Sequence, residues 1–108
     1  MSASNNAKEF HVAEMPGDGI GIEVTNACKE VLAAVQSRVG GFKLSLDFVP
    51  GGAMLYKETG NALPESSLQA AQKADAILLG AMGWPDIRYP DGREIAPQVD
   101  MREIMGLY

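Results

Sequence analysis

At 108 residues the chain has room for one small domain with a real core, and 46% apolar with 21% charged residues is ordinary globular usage, which excludes disordered and fibrous classes. A formal net charge of −5, with no Lys/Arg cluster to offset it, gives a phosphate backbone no reason to bind, so nucleic acid is not an expected partner. The single cysteine, Cys28, has no intrachain partner and fits a reducing compartment, by default the cytoplasm; no apolar run of roughly 18 residues and no apolar leader core is found, so neither membrane nor targeting segment is expected.

Residues 1–9 are polar and read as a disordered tail, leaving 10–108 as the ordered part. Residues 10–15 read as a short strand, broken by Pro16-Gly17-Asp18-Gly19. From 20 to about 39, Val24, Ala27, Cys28, Val31, Leu32, Val35 and Val39 recur every three or four residues, which predicts an amphipathic helix ended by Gly40-Gly41. Leu44, Leu46 and Phe48 alternate with Ser45 and Asp47 as in a strand buried on one face. A turn of helix is expected over 53–57, and Pro64 suits the first turn of another, with Glu65 near its positive end and Leu68 and Ala71 facing inward. Residues 76–79 form an apolar run without alternation, as in a parallel strand covered on both faces. The Gly/Pro-rich stretch 80–98 reads as a long surface loop beyond that strand, and 99–108 as the start of a helix that the sequence cuts off. Strand, helix, strand, helix, strand predicts an α/β fold with a mostly parallel sheet flanked by helices.

Gly17-Asp18-Gly19-Ile20-Gly21 joins a strand to a helix, where glycines let a ligand approach the backbone and free N–H groups can meet a polar group. A Rossmann fingerprint needs G-x-G-x-x-G, but Ile22 holds the sixth position; Asp47 would then be the ribose-binding acid, at a longer spacing than usual. A tight connection with no ligand is equally compatible with the glycines alone.

Longer segments decide between these. Met15-Pro16-Gly17-Asp18-Gly19-Ile20-Gly21-Ile22-Glu23-Val24 resembles the P-G-D-G-I-G-P-E-V opening of the isopropylmalate/isocitrate dehydrogenase family, with Ile22 where the family usually has Pro. Leu63-Pro64 and then Ala74 through Gly83, followed by Pro85, resemble its D-A-x-L-L-G-A-x-G-x-P segment. Met101-Arg102-Glu103 and Leu107-Tyr108 are similar to its L-R-K...L-Y-A-N-L-R-P stretch, ending before the second arginine.

The resemblance implies the amino-terminal, incomplete part of an isopropylmalate dehydrogenase-like fold. It implies a homodimeric enzyme that oxidises a malate-type 2-hydroxy acid, 3-isopropylmalate-like, with NAD or NADP and decarboxylates the product with Mg or Mn. Arg102 would contact the dicarboxylate substrate, as a guanidinium fork can, with Gln98 one turn before it. Ile20, Gly83, Trp84, Pro85 and Asp86 would lie at the cofactor, Trp84 standing where Gly is common. Arg88 and Arg93 could add positive potential near the substrate's variable group. The metal aspartates and the Tyr/Lys acid-base pair of the family have no counterpart in these residues, so no catalytic or metal residue is assigned and the chain alone is expected to be inactive. His11 and Cys28 read as structural. The alternative is a non-catalytic nucleotide- or protein-binding module, or a Rossmann-type domain.

Overall fold

The computed structural model describes residues 8–107. Its elements are β1 (Lys8–Gly17), α1 (Ile20–Val39), β2 (Phe42–Phe48), α2 (Ala53–Thr59), α3 (Glu65–Lys73), β3 (Ala76–Ala81) and α4 (Pro97–Met105). The sheet is wholly parallel in the order β2-β1-β3. Of the expected tail, residues 1–7 lie outside the described residues, whereas Lys8 and Glu9 belong to β1, in register with Phe42 and Lys43. Glu9 accepts a hydrogen bond from Ser45 on β2, and that bond, helped by the charge of Lys43, holds its carboxyl below the ordinary value.

Alternation along β1 sets the two layers. Ala13 and Met15 point to one face, where they are buried with Val49, Ala71 of α3 and Met101 of α4. Glu14 points to the other face and meets Lys29 of α1 at 3.1 Å. Helix α1 starts over β1 and β3 and ends over β2. At its start, a Cβ on Gly21 would collide with the carbonyl oxygen of Pro16 and lie 2.6 Å from the nitrogen of Ala81; at its end, Gln36 Oε1 accepts the N–H of Leu44 at 2.7 Å.

This diagonal path corrects the expected burial of α1. The line turned to the sheet runs through Gly21, Thr25, Cys28, Lys29, Leu32 and Gln36, of which only Gly21 and Thr25 are fully buried. Val24, Val31, Val35 and Val39, read as core-facing, are 54%, 62%, 43% and 69% exposed. Phe48, at the end of β2 from which the helix has moved away, is 69% exposed as well. Residues 76–79 are likewise not covered on both faces: β3 is an outer strand with Ala76 and Leu79 exposed, and the buried central strand is β1.

The stretch 80–98 is built structure rather than open loop. Antiparallel bridges pair Trp84 with Ile87 and Arg88 with Glu94, and the N–H of Gly92 bonds the carbonyl of Tyr89 at 2.8 Å to close a turn around Pro90 and Asp91. Ile95 is buried with Ala53 and Ala62, and Ile87, Tyr56 and Tyr89 pack against this second cluster. The two tyrosine rings meet edge to face at 5.0 Å. Arg93 lies over the Tyr89 ring at 4.9 Å, and Asp91 accepts both its N–H at 3.0 Å and its Nε–H at 2.7 Å. The last helix begins at Pro97, with the proline at its first position, and ends within the chain: Gly106 adopts a left-handed conformation, φ 66 and ψ 37, and the N–H of Leu107 returns to the carbonyl of Arg102 at 2.8 Å. Tyr108 lies outside the described residues.

Two outcomes are expected. A Cβ at Gly80 would collide with the Pro16 carbonyl and sit 2.7 Å from Thr25 Oγ1, so Gly80→Ala should lower stability in urea by about 1–3 kcal/mol or more through overpacking. Gly60→Ala, with no atom near but a left-handed φ of +82, should cost about 1–2 kcal/mol; Gly80→Ala unfolding later than Gly60→Ala would contradict the packing argument. The bonds from Arg93, first its N–H and then its side chain, hold the Asp91 carboxyl below the ordinary value. A lowered folded value means that the clasp is intact above the ordinary carboxylate range and is lost as pH falls through the lowered one. On acidification from neutral pH the Tyr89 ring resonances should therefore hold through that range and move only below it, and movement already within the range would count against the clasp; at alkaline pH the ring shifts with its own hydroxyl, whose ionisation burial pushes up.

Candidate functional site

Strand β1 leads into α1 on one face of the sheet, while β3 leads to α4 on the other, so the chain parts at the carboxyl ends of these neighbouring strands. Parallel α/β sheets bind ligands in the crevice this creates. Three loops meet there: 17–19 after β1, 49–52 after β2, and 82–85 after β3.

Asp18 joins them. Its own N–H bonds the carbonyl of Ala81 at 2.7 Å, and the residue is 4% exposed. Oδ2 accepts the N–H of Ala53 at 2.7 Å and of Gly83 at 2.8 Å, while Oδ1 accepts that of Met54 at 2.9 Å. The carboxylate thus caps α2, not the helix that follows it in sequence, and at the same time anchors the loop after β3. Hydrogen bonds to a charged acceptor are worth roughly 1.5–3 kcal/mol each, and leaving such a group buried without them costs more. Gly52, whose φ is +124, lets the chain pass close to this carboxylate, since a Cβ there would stand 2.7 Å from Oδ2.

Beyond the anchor at Gly83, the indole of Trp84 lies across the glycine loop, with Cζ3 only 2.8 Å from where a Gly19 Cβ would be. Trp84 is 43% exposed. It forms one wall of a cleft of about 470 Å³ with Asp86 and Arg88; Met54, Tyr56 and Lys57 of α2 form the other. Two cationic side chains and two aromatic rings could receive a flat ligand carrying negative charge. Arg88 is already directed by the carbonyl oxygens of Pro85 at 3.2 Å and Gly92 at 3.3 Å, and it reaches Glu94 at 3.8 Å.

The sequence-derived residues fall into two groups. Gly83, Trp84, Pro85 and Asp86 are contiguous along the cleft loop, and Ile20, 66% exposed, follows Gly19 at the start of α1. At Ile22, where the resembled motif has Pro, the N–H bonds the carbonyl of Gly19 at 3.2 Å, so the helix start is kept by a turn bond instead of a ring. Gln98 and Arg102 are one turn apart on α4. Arg102 is exposed and lines a different recess, with Val99, Glu103, Gly106 and Leu107; Gln98 is half-buried, and its Oε1 is buried with no hydrogen-bond partner among the described residues. Asp47, the acid of the Rossmann alternative, lines a third recess with His11 and Lys73, away from the glycine loop. The backbone N–H of His11 bonds Asp75 Oδ2 at 2.8 Å. Arg93 serves the hairpin alone. Among the described residues no group of three His, Cys, Asp or Glu side chains could hold a metal ion, so these residues do not by themselves fit a Mg or Mn centre. Sequence reasoning missed Asp18, Tyr56 and Lys57: the acid between two glycines is a visible signal, but its partners lie 35 and 65 residues away.

Comparison with known proteins agrees with the fold. Residues 11–108 match the model of the isocitrate/isopropylmalate dehydrogenase family. An Agrobacterium vitis protein named "probable tartrate dehydrogenase/decarboxylase" is 40% identical over 74% of this chain and 22% of its own. The 3-isopropylmalate dehydrogenase of Staphylococcus saprophyticus is 35% identical over 92% of this chain and 28% of its own. The apo crystal structure of a β-decarboxylating dehydrogenase from Thermococcus kodakarensis superposes with a TM-score of 0.73 at 33% identity, covering 92% of this chain and 27% of that one. The chain thus spans roughly a quarter of the length of these relatives. With nearly the whole sequence matched and its parallel sheet shared, the chain belongs to the isocitrate/isopropylmalate dehydrogenase family.

Proposed function

We propose that this chain supplies the amino-terminal share of an NAD(P)-dependent, divalent-metal-dependent oxidative decarboxylase acting on a malate-type 2-hydroxy acid, 3-isopropylmalate-like. The observation that carries the reading is the meeting of the glycine loop with the Gly83–Trp84 segment at the carboxyl edge of the sheet. In this reading Ile20, Gly83, Trp84, Pro85 and Asp86 border the nicotinamide cofactor, whose chemistry when bound is to accept the hydride from the 2-hydroxy carbon. Lys57 and Arg88 would offset its phosphate charge across the cleft. Arg102, exposed on α4, pairs with a substrate carboxylate, and Gln98, whose Oε1 is buried with no hydrogen-bond partner among the described residues, stands one turn away. Holding the dicarboxylate in one orientation is this chain's own contribution to rate. Ligands for a Mg or Mn ion, and the acid-base pair, would come from a chain of the relatives' length.

Two features support the partial character of the chain: the coverage of about a quarter of each relative, and the exposed valines of α1. A stripe of this kind is a surface to be covered, and the occupant proposed is the remainder of such a chain. On this reading the 108 residues alone are inactive, the complete enzyme is a homodimer in the cytoplasm, and its ligands are small molecules. The net charge of −5 argues against nucleic acid, and no helix among the described residues is long and apolar enough to cross a membrane.

In a protein extending this chain to the relatives' length, reduction of NAD or NADP is expected with 3-isopropylmalate or a related malate derivative and Mg or Mn. Arg102→Gln should lower kcat/KM for the dicarboxylate by about a hundredfold or more, the loss of a bidentate charged contact, while the KM for the cofactor stays near its parent value. An unchanged kcat/KM for the dicarboxylate would remove Arg102 from the site. Absence of turnover with every malate derivative, alongside retained nucleotide binding, would turn the reading to a non-catalytic module.

A further inference from the structure

We propose that Asp18 is a positioning residue that sets the width of the cleft between α2 and the Trp84 segment, and so the fit of whatever ligand enters it. Both walls start at this one carboxylate. The α2 wall begins at Ala53 and Met54, whose N–H groups it accepts at 2.7 and 2.9 Å, and the opposite wall is hinged at Gly83, whose N–H it accepts at 2.8 Å. Met54, Tyr56 and Lys57 follow directly on one side, and Trp84 and Asp86 on the other.

The division of labour between the two oxygens is specific. Oδ2 is shared by Ala53 and Gly83, so a single atom ties the two walls, whereas Oδ1 serves Met54 alone. The geometry leaves little room for slack: Asp18 is 4% exposed, its backbone N–H is tied to Ala81 at the end of β3, and Gly52 passes close against the carboxylate. Gly83 itself has a φ of +124. Few residues besides glycine adopt that conformation, and the bond to Asp18 restrains it. Without that acceptor, the Gly83 N–H would be freed and Trp84 could lift from Gly19.

That the occupant is the nicotinamide cofactor rests on the dehydrogenase reading; the link between the two walls does not. The test uses a protein carrying this chain at the relatives' length, with Asp18→Ala and Asp18→Asn each compared with its counterpart bearing Trp84→Phe, so that the difference isolates Trp84 emission. Asp18→Ala should red-shift that emission and make it more accessible to acrylamide. It should also raise the KM for NAD(P) about tenfold or more, as expected if even one of the three lost charge-assisted hydrogen bonds, that to Gly83, is felt in cofactor binding, with kcat changed less. Asp18→Asn keeps one acceptor oxygen; placed where Ala53 and Gly83 share it, that oxygen should restore most of both properties. A folded Asp18→Ala that is merely less stable, with Trp84 emission, quenching and cofactor KM unchanged, overturns the proposal. If Asp18→Ala does not fold, amide exchange in the parent decides: Ala53, Met54 and Gly83 should open together at one rate, and exchange at Gly83 about tenfold or more faster than at Ala53 overturns it. Displaced Trp84 without any dehydrogenase turnover would keep the tether and sink the dehydrogenase reading; turnover with an unmoved Trp84 would do the reverse.

Discussion

A carboxylate 4% exposed and surrounded by three main-chain N–H groups organises one end of this molecule. An ionised carboxylate away from water needs its acceptor sites filled, and here the donors come from α2 and from the stretch after β3, two segments that also pack through Ala53 with Ile95 and Tyr56 with Tyr89. Asp18 satisfies the start of α2, where a side-chain cap is otherwise lacking, and fixes the segment after β3. Behind it, the close approach of α1 to the sheet at Gly21 and Gly80 holds the strand ends that carry these loops. The cleft walled by α2 and Trp84 follows from those two constraints together.

Much of the fold is legible in local pattern. The extent of α1, 20 to 39, follows from apolar spacing and the Gly40-Gly41 stop, and the three strands from short apolar stretches bounded by Gly and Pro. What the pattern does not show is the direction each element faces. The valines of α1 have a helical period, but the helix crosses the sheet on the line Gly21, Thr25 and Leu32, because glycines allow the closest approach. Composition suggests burial of 76–79 on both faces, yet β3 is outermost in the sheet as described. The turn at Tyr89-Pro90-Asp91-Gly92 carries a Pro-Asp-Gly signal, but the strands it joins are single bridges with no alternation to announce them, so the stretch reads as loop. Asp18 is the clearest limit: capping acids are sought just before their own helix, and this one caps α2 from 35 residues away.

The motif resemblance located the family, and the geometry adds how its segments cooperate in this chain. Ile22 departs from the expected proline, but its N–H makes a turn bond to Gly19 and the helix start survives. Trp84 departs more consequentially, because its ring lies across the glycine loop and narrows the approach to it. A nicotinamide ring arriving there would meet an aromatic face where a glycine would offer no side chain. Arg102, proposed to meet the substrate, lines a separate recess on α4, and Gln98 lies half-buried one turn before it, outside that recess's lining. In the proposed enzyme the two recesses are bordered in addition by residues of a longer chain.

In the proposed enzyme the carboxyl-edge loops form the cofactor side of a dehydrogenase. The most direct measurement is an amide chemical-shift map of the protein titrated with NAD or NADP. It should concentrate the changes at Ile20, Gly83, Trp84 and Asp86, with smaller ones at Lys57 and Arg88. Saturable changes centred on the His11, Asp47 and Lys73 recess, with the glycine loop silent, would contradict it.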